Sequence, residues 1–272
     1  MSSIIYNGHE IQDLIVNGNQ AQLWLNGQKL YPSAEPGPVD PYNPLGLPPF
    51  TIRCKFSSGY TPTMGDSQTL VDAVENVWDI TKNDTSWNRL FRTAIGEKSY
   101  LVSVLGANTT GVTYMEGMFW NCNKFTTVQL FDTSSCTSMA NMFGRCSSLT
   151  TVPLFDTSSC TAIYGAFSSC TSLTTVPLFD TSSVTAMNDM FSDCTSLTTV
   201  PLFDTRSCRV MTWMFQNCYN VQSGALALYQ QASTQATPPS SYGNCFKDCG
   251  KNTVTGAAEL AQIPTSWGGT MA

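Results

Sequence analysis

LTTVPLFDTSSCTAIYGAFSSCTSLTTVPLFDTSSVTAMNDMFSDCTSLTTV, residues Leu149–Val200, decides the fold because it repeats itself every 24 residues. The block LTTVPLFDTSS stands at Leu149–Ser159 and again at Leu173–Ser183. Outward in both directions the register holds: Phe119, Phe143, Phe167, Phe191 and Phe215 form one column, and Cys122, Cys146, Cys170, Cys194 and Cys218 another. Asp132, Asp156, Asp180 and Asp204 form a third. A fixed period between about 20 and 50 residues marks an array whose coils stack on their neighbours.

Within one coil, Met115, Met118, Phe119 and Cys122 stand at i, i+3, i+4 and i+7, the spacing of one face of a short helix. The segment Leu149-x-x-Val152-x-Leu154 predicts a short inward-facing strand, and Asp-Thr-Ser-Ser predicts an Asx-turn followed by a cap for the next helix. Pro153, Pro177 and Pro201 each remove an amide donor, so the strand either ends there or runs on as polyproline II. The fold class expected is an α/β solenoid, a stack of coils each made of a short helix plus a short strand, with a small N-terminal β-meander.

The run TAIYGAFSSCTSLTTVPLF, Thr161–Phe179, resembles the BspA-type leucine-rich repeat, with its Ala-Phe-x-x-Cys step followed by Ser-Leu-Thr. FDTSSVTAMNDMF, Phe179–Phe191, is similar to a related bacterial repeat with Asp-Thr-Ser-x-Val-Thr-x-Met-x-x-Met-Phe. The resemblance implies a leucine-rich-repeat-like right-handed coil stack, and adhesion or recognition rather than catalysis. The Val-Pro-Leu-Phe ending departs from the commoner Ile-x-Ile-Pro.

The remaining chain divides around this array. Residues 1–34 carry three Asn-Gly pairs, at Asn7-Gly8, Asn17-Gly18 and Asn26-Gly27, each between short apolar runs. Asn-Gly suits the two positive-φ positions of a type I′ hairpin turn, so a four-strand meander is expected. About 30 residues make too small a core to stand alone, which casts this unit as a docking or oligomerisation piece. Its candidate docking residues are Ile5, Tyr6, Leu14, Val16, Trp24 and Leu25. The segment is also similar to the N-termini of some phage structural proteins.

Residues 35–49 read as a proline-rich linker, 50–100 as an N-terminal cap, 101–222 as the array and 223–272 as a C-terminal cap with Trp267 as its plug. In the first cap Asp79 matches the Asp column, while Trp87, Leu90 and Phe91 match Met, Met and Phe.

The chain has 13 basic and 19 acidic residues, for a formal net charge of -6, which argues against a nucleic-acid partner. No apolar run is long enough to span a membrane. MSSIIYNGHEIQD has neither a basic start nor an apolar core, so no secretory leader is expected and the sequons Asn83-Asp-Thr85 and Asn108-Thr-Thr110 are expected to stay unmodified.

Of the 11 cysteines, eight sit on the repeat lattice, where Val112 and Val184 substitute for Cys in the second column of Cys136, Cys160 and Cys208. Buried free thiols are therefore the favoured reading, with disulfides or a metal as the alternatives. His9 is the only histidine, so no Ser-His or Cys-His pair can form within the array, and no catalytic residue, metal ligand or cofactor is assigned. The Asp column would serve Asx-turns or, stacked at strand spacing, cations; the turn reading is favoured.

Comparing the coils with one another leaves three variable columns between the inward positions, headed by Glu116, Gly117 and Trp120. Trp120, Tyr164, Asp189 and Trp213 in these columns, with Arg145 one position on, are the candidate ligand contacts, since aromatics and Arg dominate interface energetics. The expected function is a non-enzymatic recognition or display protein. A phage or prophage virion component, assembled in the bacterial cytoplasm, would bind a host surface glycan or protein and hold other virion proteins, or further copies of itself, through the N-terminal unit. The alternative is a bacterial cell-surface adhesin of the BspA type, and a remote third is a glycan-active enzyme.

Overall fold

The computed structural model describes residue 43, residues 45–65, 67–92 and 100–271, and the backbone of five short strands between residues 4 and 31. The chain forms two compact units, Met1–Asp40 and Pro41–Ala272.

In the first unit β1 (Ile4–Tyr6) pairs with β2 (His9–Ile11), and β3 (Asp13–Asn17), β4 (Gln20–Leu25) and β5 (Gln28–Tyr31) form a separate antiparallel sheet. Five strands in two sheets replace the expected four-strand meander. Asn17 pairs with Gln20, so the connection is Gly18 and Asn19 rather than Asn17-Gly18. That register sets Leu14 opposite Leu23 and Val16 opposite Ala21. The connecting residues themselves, and positions 35–42 and 44 of the expected linker, lie outside the described residues.

The second unit opens with a four-stranded antiparallel sheet in the order β7-β8-β6-β9, where β6 is Thr51–Phe56, β7 Ser67–Asp72, β8 Val77–Thr81 and β9 Leu101–Asn108. Asp79 belongs to β8 and ion-pairs with Arg53 at 2.7 Å, so it is not a member of the Asx-turn column. The last strand leads directly into the repeats.

The repeats overturn the expected α/β solenoid. Among the described residues no helix and no strand lies between Asn108 and Ala225; the coils are successions of turns, and the regular sheet is the small antiparallel one before them. The N–H groups of Met115, Gly117, Phe119 and Asn121 donate to Ser138, Ala140, Met142 and Gly144 of the next coil at 2.7–3.0 Å. Only the alternate ones, Met118, Trp120 and Cys122, close turns onto carbonyls three residues back. An α-helix would send every one of these donors four residues back along its own coil.

Backbone conformation enforces the difference. Gly117, Asn141, Gly165, Asp189 and Trp213 have φ of 58°, 55°, 60°, 57° and 58°, and a second left-handed column follows four residues later. Two left-handed residues in seven break a right-handed helix. Adjoining turns nonetheless return the chain to the same side at i, i+3, i+4 and i+7, so Met115, Met118, Phe119 and Cys122 are all fully buried. The periodicity located the inward side chains without locating the hydrogen bonds.

The expected strand is likewise a turn. Phe155, Phe179 and Phe203 donate to Pro153, Pro177 and Pro201 two residues back, at 3.0–3.1 Å. This tight bend sends those phenylalanines into the core and turns Leu154, Leu178 and Leu202 outward, at 59%, 61% and 52% exposure.

Coils register through single parallel bridges, such as Tyr114 to Ser138 to Ala162 to Ala186 to Val210. Inside, Phe91, Phe119, Phe143, Phe167, Phe191, Phe215 and Phe246 stack with successive centroids 5.2–6.1 Å apart. All 11 cysteines are buried and free. The buried hydroxyls of Thr109, Thr133, Thr157 and Thr181 donate to the carbonyls of Asp132, Asp156, Asp180 and Asp204 at 2.5–2.8 Å, joining coils where no amide reaches. At the far end α1 (Ala225–Thr234) and α2 (Val254–Leu260) precede Trp267, whose ring stacks on Tyr242 at 4.2 Å.

Candidate functional site

The turns that replace the helix build one face of the stack from residues whose side chains the core does not use. At its N-terminal end Arg89, Arg92, Glu116, Gly117, Trp120, Ala140, Asn141 and Tyr164 line a cleft of about 230 Å³. Its centre is the half-buried Trp120. The indole lies across the next coil, where a Cβ on Gly144 would come within 2.9 Å of its Cδ1, so the smallest residue stands there.

Two arginines hold the indole. Arg92 Cζ lies 4.6 Å from the ring centroid and Arg145 Cζ 5.7 Å. Cation–π contacts of this kind are worth about 0.5–1 kcal/mol each at exposed sites. Arg89 and Arg145 occupy left-handed positions with φ of 59° and 62°, which cost a residue with a Cβ roughly 1–2 kcal/mol. Sister coils place Gly117, Asn141 and Gly165 in the Arg89 column, and Asn121, Ser169 and Asp193 in the Arg145 column.

Glu116 lines the same cleft as Arg89 and Arg92. Its Oε1 accepts from Ser138 Oγ at 2.7 Å, and its backbone N–H donates to Asn88 Oδ1 at 2.8 Å. Both bonds cross coils and fix the carboxylate at the cleft.

Of the candidate contacts, Trp120, Arg145 and Tyr164 converge here. Asp189 and Trp213 follow in the column of Gly165, on later coils, and do not line the cleft. That column is not free: it is the left-handed one, which selects Gly, Asn and Asp and makes Trp213 the exception. Burial holds the Asp189 carboxyl above the usual carboxylate range, aided by nearby Asp193 and opposed by the Asn188 amide.

Arg89 and Arg92 escaped the 24-residue comparison because they precede the strict register. Matching Phe91 to Phe119 at a 28-residue offset places Arg92 in the Trp120 column and Arg89 in the Gly117 column.

The family described as "Mycoplasma protein of unknown function, DUF285" matches residues 85–176 and 147–237, together more than half of the chain. The chain belongs to this family. No curated protein and no solved structure matches it. The DUF285 match begins at Thr85, so it takes in the turn that carries Arg89 and Arg92 as well as the coils that carry Trp120, Arg145 and Tyr164.

Elsewhere in this DUF285 chain the Asp column serves turns. The Oδ1 atoms of Asp132, Asp156, Asp180 and Asp204 accept from the N–H groups two residues on, each at 3.0 Å. Among the described residues no group of three or more His, Cys, Asp and Glu is arranged to hold a metal ion, and no helix is long and apolar enough to cross a membrane. The docking candidates Ile5 and Tyr6 lie on β1, Leu14 and Val16 on β3, and Trp24 and Leu25 on β4; their side chains, like that of His9 on β2, lie outside what is described.

Proposed function

We propose that this protein is a non-enzymatic recognition module that binds a surface ligand through the turn face of its stacked coils, at the cleft around Trp120. The observation that carries the reading is the arginine–indole–arginine arrangement. Three of the six arginines gather at one end of one face, and among the described residues none of the three ion-pairs with a carboxylate. Arg53 and Arg206, by contrast, are paired with Asp79 and Asp204. Aromatic and arginine side chains held in place lose little freedom on binding, and this is what makes them interface anchors.

The setting favoured is a phage or prophage virion component that recognises a host surface glycan or protein, with the separate N-terminal unit docking it to the particle. The resemblance of the coils to BspA-type repeats supports recognition in general. It supports a bacterial cell-surface adhesin equally, and that is the second setting.

Labelled full-length protein applied to arrays of bacterial surface glycans and surface proteins tests the recognition reading. Selective binding that is lost in Trp120→Ala is the expected result; absence of any selective binding contradicts it. Immunogold labelling of particles released by the encoding bacterium separates the settings: gold on particles supports the virion, and gold on the cell envelope alone supports the adhesin.

A further inference from the structure

We propose that the Trp120 cleft is a subsite for a carboxylate-bearing sugar, so that the ligand of the turn face is an acidic glycan. The proposal rests on the recognition reading above and narrows it to a chemical class.

Charge supplies the first reason. Arg89, Arg92 and Arg145 set three positive charges against the single carboxylate of Glu116, in a chain whose formal net charge is -6. A guanidinium presents a planar fork of donors that matches a carboxylate in two-point contact. Here two of the forks are already oriented by Trp120, at 4.6 Å and 5.7 Å from its centroid. Strain supplies the second. Arg89 and Arg145 stand at positive φ in columns that the other coils fill, Trp213 apart, with Gly, Asn, Asp or Ser, and strained conformations of this kind gather where a side chain must be aimed.

Hydroxyl recognition separates a sugar from a bare anion or an acidic peptide. Ser138 engages one oxygen of Glu116, and among the described residues the other takes no hydrogen bond. Glu116, Asn141 and Tyr164 line the same cleft as Arg89 and Arg92, so their polar groups are at hand for ligand hydroxyls. Ligand hydroxyls both donate to a carboxylate and accept from an amide, so a sugar can set its one carboxylate on the arginines and its hydroxyls on Glu116, whereas a polyacidic peptide has only further carboxylates to offer there. Size agrees. The cleft, about 230 Å³ in volume, is on the scale of one sugar ring with its substituents.

The test is titration of the full chain, followed by tryptophan fluorescence and calorimetry, with the methyl glycosides of N-acetylneuraminic acid and glucuronic acid. Methyl glucoside, inorganic phosphate and a tetraglutamate peptide are the comparators. The expected result is that an acidic glycoside binds at least about tenfold tighter than every comparator and weakens as salt is raised. Arg92→Gln and Arg145→Gln should each lower that affinity about tenfold, while Leu178→Ser on the exposed leucine column leaves it unchanged. Circular dichroism and thermal melting confirm that each variant is folded. Equal binding of methyl glucoside, or tighter binding of phosphate or peptide, overturns the acidic-sugar assignment and leaves the recognition reading standing. Acidic-glycoside binding that ignores both arginine substitutions overturns the placement at this cleft. No binding to any of these probes overturns the proposal; only silence on the full glycan and protein arrays as well sinks the recognition reading with it.

Discussion

The thiol of Cys146 donates a hydrogen bond to the carbonyl oxygen of Phe119, 3.1 Å away in the preceding coil. The same oxygen accepts the N–H of Cys122, so one carbonyl closes a turn and ties two coils together. Cys170, Cys194 and Cys218 repeat the bond to Phe143, Phe167 and Phe191, each at 3.1 Å. These cysteines act as small apolar groups with one well-placed donor, which explains why they persist in a column without pairing.

Stability should therefore fall in alkali. Burial pushes the Cys146, Cys170 and Cys218 thiols well above the ordinary thiol range. The folded state keeps these protons after the unfolded chain loses them, so the contribution is complete below about pH 8.5 and declines as pH rises above it. Each thiol adds a slope of about 1.4 kcal/mol per pH unit. Denaturant unfolding at pH 7 and pH 10 should show a loss of several kcal/mol, and a thiol reagent should react at pH 7 only as the protein unfolds.

Trp213 is expected to be a stability defect. It holds φ of 58° in a column where, Arg89 before the first full coil apart, the other coils carry Gly, Asn and Asp, and it is 44% exposed. Trp213→Asn should raise stability by about 1 kcal/mol, because asparagine tolerates the left-handed region and little packing is lost. Thermal melts of the two proteins measure it; a lower melting point would show that the indole packs against more than its exposure indicates.

Two glycines at positive φ should differ sharply in their tolerance of alanine. A Cβ on Gly165 would meet the Asn141 Oδ1 at 2.4 Å, a side-chain tip that can rotate away, whereas one on Gly224 would meet the Val200 carbonyl oxygen at 2.1 Å. Gly165→Ala should cost about 1–2 kcal/mol, the left-handed penalty alone. Gly224→Ala should cost at least about 3 kcal/mol, because the backbone of a neighbouring coil must shift as well. Urea titrations of both variants provide the comparison.

The Asp column should be replaceable by asparagine but not by alanine. Asp180 accepts from the Ser182 N–H and Oγ, and the serine hydroxyl foremost holds its carboxyl below the usual range. Asp180→Ala should cost about 0.5–1 kcal/mol, modest because the group is exposed and screened, while Asp180→Asn keeps the acceptor and costs less. The depressed value gives a contribution that is complete above about pH 4 and fades as pH falls through the lower folded value. The gap between wild type and Asp180→Ala should accordingly narrow in acid.

Much of this molecule was legible in its residues, and the failures share one cause. The inward columns of Met, Phe and Cys, the 24-residue stacking and the Asx-turns follow from spacing and side-chain chemistry. The α/β class did not follow, because apolar spacing reports which way side chains point and not where amides donate. The left-handed residues were the missing signal. Gly117, Asn141, Gly165 and Asp189 share a column that was read as variable, although Gly, Asn and Asp are the residues that tolerate positive φ. Leu154 was misplaced for a related reason, since Pro153 makes a tight bend instead of a strand edge. At the candidate site Trp120, Arg145 and Tyr164 were visible as large outliers in their columns, while Arg89 and Arg92 were hidden by the irregular offset before the first full coil.

Hydrogen–deuterium exchange with and without a saturating acidic glycoside tests the central claim most directly. Binding at the Trp120 cleft predicts added protection confined to segments 87–92, 115–121, 138–145 and 162–166, whose amides underlie the arginines, the indole, Glu116 and Tyr164. Protection instead along the exposed leucines at 154, 178 and 202, within residues 1–40, or nowhere would contradict it.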